Sequence, residues 1–188
     1  MQSLQKHLPT PLPPRNNLLI KLYYYTKSKQ HNSSNTDVMI LTSVGAFCKE
    51  NGLESYNGKV LRTPLNKPYL ENDFLFVGVT HTLDVIIIAV STFAFGIDCE
   101  SKDRVMKNPC RIISRFFAQN EREYIDNCSD KNLAFLDTWV KKEAYVKYTG
   151  DGISGLSGCD VTAMANSFTF IENDKNLIIY IYKDNNNE

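Results

Sequence analysis

Acidic and basic side chains occur in this chain at spacings that bring them together once the backbone folds. Asp98 and Glu100 follow an apolar run and are two residues apart, so on a β-strand they point to the same face. Glu143 and Lys147 are four residues apart, so on a helix they also share a face. Carboxylates that converge from a strand and a helix can hold a hard divalent cation, and a nearby lysine suits a phosphate. The pattern therefore indicates phosphate chemistry.

The helix that carries Glu143 and Lys147 is predicted over residues 133–148. At about 100° per residue, its apolar residues form one stripe, and both charged residues fall near the middle of that stripe. Burying an unpaired charge is costly, so these side chains need partners, a metal ion or a cleft. An ion pair between Glu143 and Lys147 on a partly solvated helix is the alternative, and the helix alone does not decide between the two. Asp98 and Glu100 on the strand favour a functional site over a simple ion pair.

Composition narrows the class of protein. A chain of 188 residues makes one domain or two small, tightly packed halves. Its 21 basic and 21 acidic side chains give no basic excess, which argues against a nucleic-acid partner. The five cysteines are widely spaced and odd in number, as expected for reduced thiols in the cytoplasm. No apolar run is long enough to span a bilayer, and no signal-peptide core is present, so we expect no membrane partner.

The elements that must position these residues follow from hydrophobic periodicity and from turn and cap residues. Residues 1–17 are rich in proline and are expected to be extended or disordered, and residues 184–188 form a polar tail. A polar loop is expected at 27–36, with capping residues at 35–37. Helices are predicted at 37–49, 108–117, from 120, and 133–148, and strands at 18–25, 74–79, 85–91, 94–100, 167–172 and 177–183.

Five short motifs occur in a fixed order between residues 38 and 162. They are Asn66-Lys67-Pro68-Tyr69, Val79-Thr80-His81-Thr82, Gly96-Ile97-Asp98-Cys99-Glu100, Arg115-Phe116-Phe117, and Trp139-Val140-Lys141-Lys142-Glu143-Ala144-Tyr145-Val146-Lys147 followed by Gly150-Asp151-Gly152. With these motifs in this order, the chain resembles the 4′-phosphopantetheinyl transferase superfamily. The resemblance covers about two-thirds of the chain.

The resemblance implies an α+β fold with two pseudo-symmetric lobes, each a helix packed on a small antiparallel sheet. The N-terminal lobe, residues 18–93, would contact coenzyme A, and the C-terminal lobe, residues 94–183, would hold the metal and the catalytic residues. The implied reaction transfers the 4′-phosphopantetheine group of coenzyme A to a serine of an apo acyl, polyketide or peptidyl carrier protein. It needs Mg²⁺ and releases adenosine 3′,5′-bisphosphate. With one site between two lobes, a monomer is expected.

Individual roles are also implied by the resemblance. The metal ligands would be Asp98, Glu100 and Glu143, and the catalytic residues would be Glu143, as general base, and Lys147. Contacts to the coenzyme would come from Lys67, Pro68, Thr80, His81, Lys142 and Lys147. The basic helix with which the family holds the coenzyme's 3′-phosphate has no counterpart, which leaves Lys27, Lys29 and His31 as candidates.

Two other functions remain open from the sequence. Another Mg²⁺-dependent phosphate enzyme, such as a hydrolase, could use the same three carboxylates. A catalytically weak module that binds a carrier protein or coenzyme A is the second possibility, because the basic anchor is missing. Cleavage of coenzyme A without a carrier protein would indicate the first, and binding without turnover would indicate the second.

Overall fold

A computed structural model of the chain describes residues 18–27, 33–71 and 74–185. Its fold is α+β, with small antiparallel sheets that confirm the predicted fold class. The strands are β1 (Ile20–Thr26), β2 (Val60–Arg62), β3 (Pro68–Leu70), β4 (Phe76–Thr82), β5 (Val85–Ser91), β6 (Gly96–Ser101), β7 (Phe168–Phe170) and β8 (Leu177–Tyr182). The α-helices are α1 (Ser33–Glu50), α2 (Pro109–Phe116), α3 (Gln119–Asn127) and α4 (Lys131–Thr149), and 3₁₀ helices occur at Gly152–Gly158 and Ala165–Ser167.

The first half of the chain builds one antiparallel sheet in the order β1-β5-β4. Helix α1 covers one face of this sheet, because its apolar residues recur at helical spacing and pack on alternate residues of β5. Ile40, Val44 and Phe47 of α1 are buried against Ile86 and Ile88. The short hairpin of β2 and β3 lies beside this sheet.

The second half builds an antiparallel sheet in the order β6-β8-β7. One face packs against the sheet of the first half through alternate residues such as Ile97 and Ile179, which meet Ile87. The other face is covered by α4, whose buried residues include Phe135 and Val140. Strand β6 therefore lies between the first sheet and α4, so its residues can contact side chains from both halves of the chain.

Gly96 explains how closely α4 approaches β6. A Cβ atom at this position would overlap the carbonyl oxygen of Ala144 and would lie 2.7 Å from the amide nitrogen of Tyr148. Only a residue without a side chain lets the strand begin directly beneath the last turns of the helix. This contact fixes Glu143 and Lys147, on the same turns of α4, close to β6.

Most predicted elements occur with small shifts at their ends, but two predictions were wrong or incomplete. Helix α1 begins at Ser33, so the last part of the predicted polar loop and the proposed caps at 35–37 lie inside the helix. The β2–β3 hairpin and the 3₁₀ helix Gly152–Gly158 were not predicted. Residues 1–17, for which extension or disorder was predicted, lie outside the described residues, as do residues 186–188 of the predicted tail. In the described part of the chain, the helices are too short or too polar to cross a membrane.

Candidate active site

A cleft of about 610 Å³ lies between the two halves. One wall comes from the β2–β3 hairpin and β4, and the other from the start of β6, the end of α4 and the 3₁₀ helix that follows. Helix α4 begins where Asp130 Oδ1 accepts the amide of Leu133 at 2.9 Å, and it ends at Gly150, whose φ of 81° suits glycine. The charged or ionisable residues that line the cleft are Arg62, Lys67, His81, Glu143 and Lys147.

Asp98 lies on β6, buried between the first sheet and α4. Its Oδ1 atom accepts hydrogen bonds from Thr80 Oγ1 at 2.8 Å and from Lys147 Nζ at 2.6 Å. Within the described residues, no hydrogen bond reaches the other carboxylate oxygen, Oδ2. A buried carboxylate oxygen without a donor is a natural ligand for a cation.

Glu100, two residues along β6, is also buried and uses both of its oxygens. Oε2 accepts a hydrogen bond from Thr82 Oγ1 at 3.1 Å, and Oε1 forms an ion pair with the guanidinium of Arg104. Arg104 follows Glu100 by four residues in the loop after β6, and sequence reasoning missed it. The only available signal was a basic residue soon after the strand acids.

Glu143 is half-buried on α4 and differs from both strand acids. Its carboxylate makes no hydrogen bond or ion pair with any other described residue. Burial, and then the nearby charge of Asp98, raise its pKa, whereas Lys147 and Arg104 oppose the increase. Lys147 pairs with Asp98 and not with Glu143, so the internal ion pair considered as an alternative does not form.

The donor chemistry of this cluster fits a hard divalent cation. Three carboxylates approach from β6 and α4, and Asp98 and Glu143 retain oxygens without hydrogen-bond partners. As the side chains are placed, no three His, Cys, Asp or Glu residues of the described chain stand close enough together to enclose an ion. Lys147 and Arg104 hold two of the acids instead, so a metal ion would have to compete with these cations.

Four residues predicted to contact coenzyme A line the cleft, namely Lys67, Pro68, His81 and Lys147. His81 is exposed at the end of β4. Lys67 Nζ donates to the main-chain carbonyl of Lys147 and, at 3.3 Å, to that of Tyr148. Burial lowers the pKa of Lys67. This side chain thus connects the hairpin of the first half to the end of α4.

Thr80 lies beside the cleft without lining it. Its side chain is buried, and its hydroxyl donates to Asp98 while it accepts the amide of Cys99 at 3.1 Å. The structure therefore brings Thr80 to the carboxylate cluster and not to the open space where a coenzyme would lie.

Lys142 lies outside the cleft, in the core of the second half. It is fully buried, and its Nζ lies 2.9 and 2.8 Å from the two carboxylate oxygens of Glu121 and 2.7 Å from the carbonyl oxygen of Cys159. These acceptors use all three hydrogens of the ammonium group. The predicted contact between Lys142 and the pyrophosphate is therefore not supported, because neighbouring residues of one helix face different elements.

Arg62 is a cleft residue that sequence reasoning missed. It ends β2, forms an ion pair with Asp37 of α1, and donates to the main-chain carbonyl of Asn66 at 3.2 Å. Of the earlier candidates for the 3′-phosphate, Lys27 does not line the cleft, and Lys29 and His31 lie outside the described residues. The available signal was a basic residue five positions before Lys67.

The second half of the chain, which carries the carboxylate cluster, matches a known protein family. Residues 94–185 match the family model of the 4′-phosphopantetheinyl transferase superfamily. This segment belongs to that superfamily. It contains β6 and α4, and hence Asp98, Glu100, Glu143 and Lys147.

A curated member of the superfamily is similar to this chain over 100 residues. The chain is 33% identical over 100 residues to the 4′-phosphopantetheinyl transferase HetI of Nostoc sp. (strain PCC 7120 / SAG 25.82 / UTEX 2576). The match covers 52% of this chain and 41% of the relative. The chain therefore spans about two-fifths of the length of this relative.

Proposed function

We propose that this protein transfers the 4′-phosphopantetheine group of coenzyme A to a serine of an apo acyl, polyketide or peptidyl carrier protein. The observation that carries the proposal is the unpaired carboxylate of Glu143, which lies on the wall of the cleft near Asp98 and Lys147. A half-buried acid with a raised pKa, and without a donor of its own, suits proton transfer. The superfamily match over the same elements supports this assignment.

The reaction assigns Glu143 the role of general base. The serine hydroxyl attacks the β-phosphorus of the coenzyme, its proton passes to the Glu143 carboxylate, and the bond between the two phosphates breaks. The leaving group is adenosine 3′,5′-bisphosphate, and the product is a phosphodiester on the carrier serine. Proton transfer of this kind typically contributes about 10²–10⁴ in rate.

Three positively charged side chains and one histidine in the cleft suit the negative charge of the substrate's phosphates. Lys147 lies beside Asp98 at the wall formed by α4, whereas Arg62, Lys67 and His81 line the wall of the first half. We assign these groups to the phosphates of the coenzyme, with Arg62 replacing the missing basic helix as the anchor for the 3′-phosphate, and Pro68 to the adenine end. Positioning and electrostatics supply most of the catalysis in phosphoryl-type transfers.

Asp98, Glu100 and Glu143 would hold Mg²⁺, which, when bound, supplies a positive charge that stabilises the negative charge on the pyrophosphate. Because both walls of the cleft come from a single chain, we expect a monomer. We also expect the protein to be cytoplasmic, where coenzyme A and carrier proteins meet.

The proposal is tested by intact-mass analysis of apo carrier proteins after incubation with coenzyme A, Mg²⁺ and the full chain. The expected result is a carrier heavier by one phosphopantetheine group. Glu143→Gln should slow single-turnover transfer by about 10²–10⁴, whereas the exposed control Glu172→Gln should not change it.

Two outcomes would contradict this function. Cleavage of coenzyme A without a carrier protein would identify a hydrolase. Calorimetric binding of coenzyme A, with no mass change on acyl, polyketide or peptidyl carriers, would identify a binding module.

A further inference from the structure

Two threonines of β4 repeat the same pair of contacts with β6. Thr80 Oγ1 accepts the amide of Cys99 at 3.1 Å and donates to Asp98 Oδ1 at 2.8 Å. Thr82 Oγ1 accepts the amide of Ser101 at 3.3 Å and donates to Glu100 Oε2 at 3.1 Å. Each hydroxyl thus binds the amide of one residue and the carboxylate of the residue before it.

The repeat follows from the geometry of two strands in contact. Residues two apart on a strand point to the same face, so Thr80 and Thr82 reach β6 together. In its sheet, β6 pairs with β8 along one edge only. The threonines satisfy two amides of the opposite edge, which would otherwise be buried without an acceptor at a substantial cost.

The same hydroxyls restrict the orientation of the two acids. At Asp98, Thr80 and Lys147 both donate to Oδ1, and Oδ2 keeps its lone pairs. At Glu100, Thr82 holds Oε2 from one side and Arg104 binds Oε1 from the other. The two threonines and the two acids are all buried, which limits competition from water for these contacts.

We propose that Thr80 and Thr82 are positioning residues that fix Asp98 and Glu100 for a divalent cation, an inference that rests on the proposed function. A hydroxyl has one hydrogen, so a threonine that donates to a carboxylate cannot also donate to a phosphate of the coenzyme. This role replaces the coenzyme contact that the family resemblance implied for Thr80, and it adds Thr82 to the site.

The test measures metal binding without the reaction. Thr80→Val and Thr82→Val keep the side-chain shape and remove the hydroxyl, whereas Thr80→Ser and Thr82→Ser keep the hydroxyl. Thr138→Val is the matched control, because Thr138 is equally buried but donates to the carbonyl of Ala134 within α4. Mn²⁺ is titrated into each chain, without coenzyme A, and free Mn²⁺ is followed by electron paramagnetic resonance.

Outer contacts to metal ligands typically contribute about 10- to 100-fold in metal affinity, and we expect a loss of this size in each valine variant. The serine variants should recover most of the affinity, and Thr138→Val should match the wild type. Hydrogen exchange at the amides of Cys99 and Ser101, measured by NMR, should accelerate in the corresponding valine variant and not in the serine variant. If a valine variant fails to fold, the corresponding alanine variant, which leaves room for a water molecule at the amide, is titrated instead.

Folded valine or alanine variants that bind Mn²⁺ as tightly as the wild type would overturn the positioning role, as would a wild-type chain that binds no Mn²⁺. A chain that binds Mn²⁺ in a hydroxyl-dependent way, but modifies no carrier protein, would leave the positioning role in place and refute the transferase proposal. The two failures are therefore distinguishable.

Discussion

The buried ion pair between Lys142 and Glu121 separates a structural role from a substrate-binding role. Both side chains are fully buried, and Glu121 also accepts the amides of Ala118 at 2.7 Å and Val161 at 2.9 Å. Lys142→Met keeps an unbranched side chain that is one atom shorter and removes the charge, which leaves the carboxylate of Glu121 and the carbonyl of Cys159 without the ammonium group. Removing one partner of a buried pair typically costs about 3–5 kcal/mol.

We therefore expect Lys142→Met to lower the free energy of unfolding by about 3–5 kcal/mol in urea titrations. At about 2–4 °C per kcal/mol for a chain of this size, the midpoint of thermal unfolding should fall by roughly 6–20 °C. Adding Glu121→Gln should recover part of the loss, because Gln removes the unpaired charge and keeps an acceptor oxygen for one of the two amides.

Two comparisons make this test decisive. Lys131→Met is the matched control, since Lys131 pairs with Asp126 at 3.6 Å on the exposed surface and should contribute about 0–1 kcal/mol. Calorimetric titration of coenzyme A into Lys142→Met, at a temperature where the variant is folded, should give the wild-type affinity. A variant with unchanged stability and weakened coenzyme binding would refute the structural role and return Lys142 to the substrate site.

Two further predictions follow from the contact of α4 with β6. Gly96→Ala should destabilise the fold by about 1–3 kcal/mol and slow transfer, because the added Cβ atom would overlap the backbone of α4. Gly45→Ala is the control, since a Cβ atom at Gly45 meets no atom within 4 Å. Equal unfolding midpoints of the two variants would contradict this expectation. Because the folded chain raises the pKa of Glu143, ionising it opposes folding. The penalty is absent below the ordinary glutamate pKa and complete above the raised value. In chelator, wild-type stability should therefore fall relative to Glu143→Gln as pH rises through this interval, and parallel urea curves would exclude the effect.

The sequence predicted the parts of the fold that depend on short-range periodicity. Asp98 and Glu100 fall on one face of a strand, and Glu143 and Lys147 fall on one face of a helix, as period 2 and period 3.6 require. These rules place residues on faces but do not identify what each face meets.

The role of Lys142 could not be predicted for this reason. Its partner Glu121 lies 21 residues earlier, on α3, and only the packing of α3 against α4 brings them together. Likewise, no local pattern indicates that the hydroxyls of Thr80 and Thr82 meet the acids of β6, because this contact joins two sheets. The β2–β3 hairpin escaped prediction because strands of three residues carry too little alternation to be recognised.

The contact of Lys67 with the end of α4 has an electrostatic consequence for the cleft. A helix carries a partial negative charge of about half an elementary unit at its C-terminus, where the last carbonyl groups lack partners. Helix α4 ends at the cleft, so this pole would repel a substrate that carries several phosphates. By placing its ammonium on the carbonyls of Lys147 and Tyr148, Lys67 offsets the pole where an anion would enter. Lys67 would thereby lower the electrostatic cost of bringing an anion to the end of α4, in addition to any contact that it makes with a phosphate.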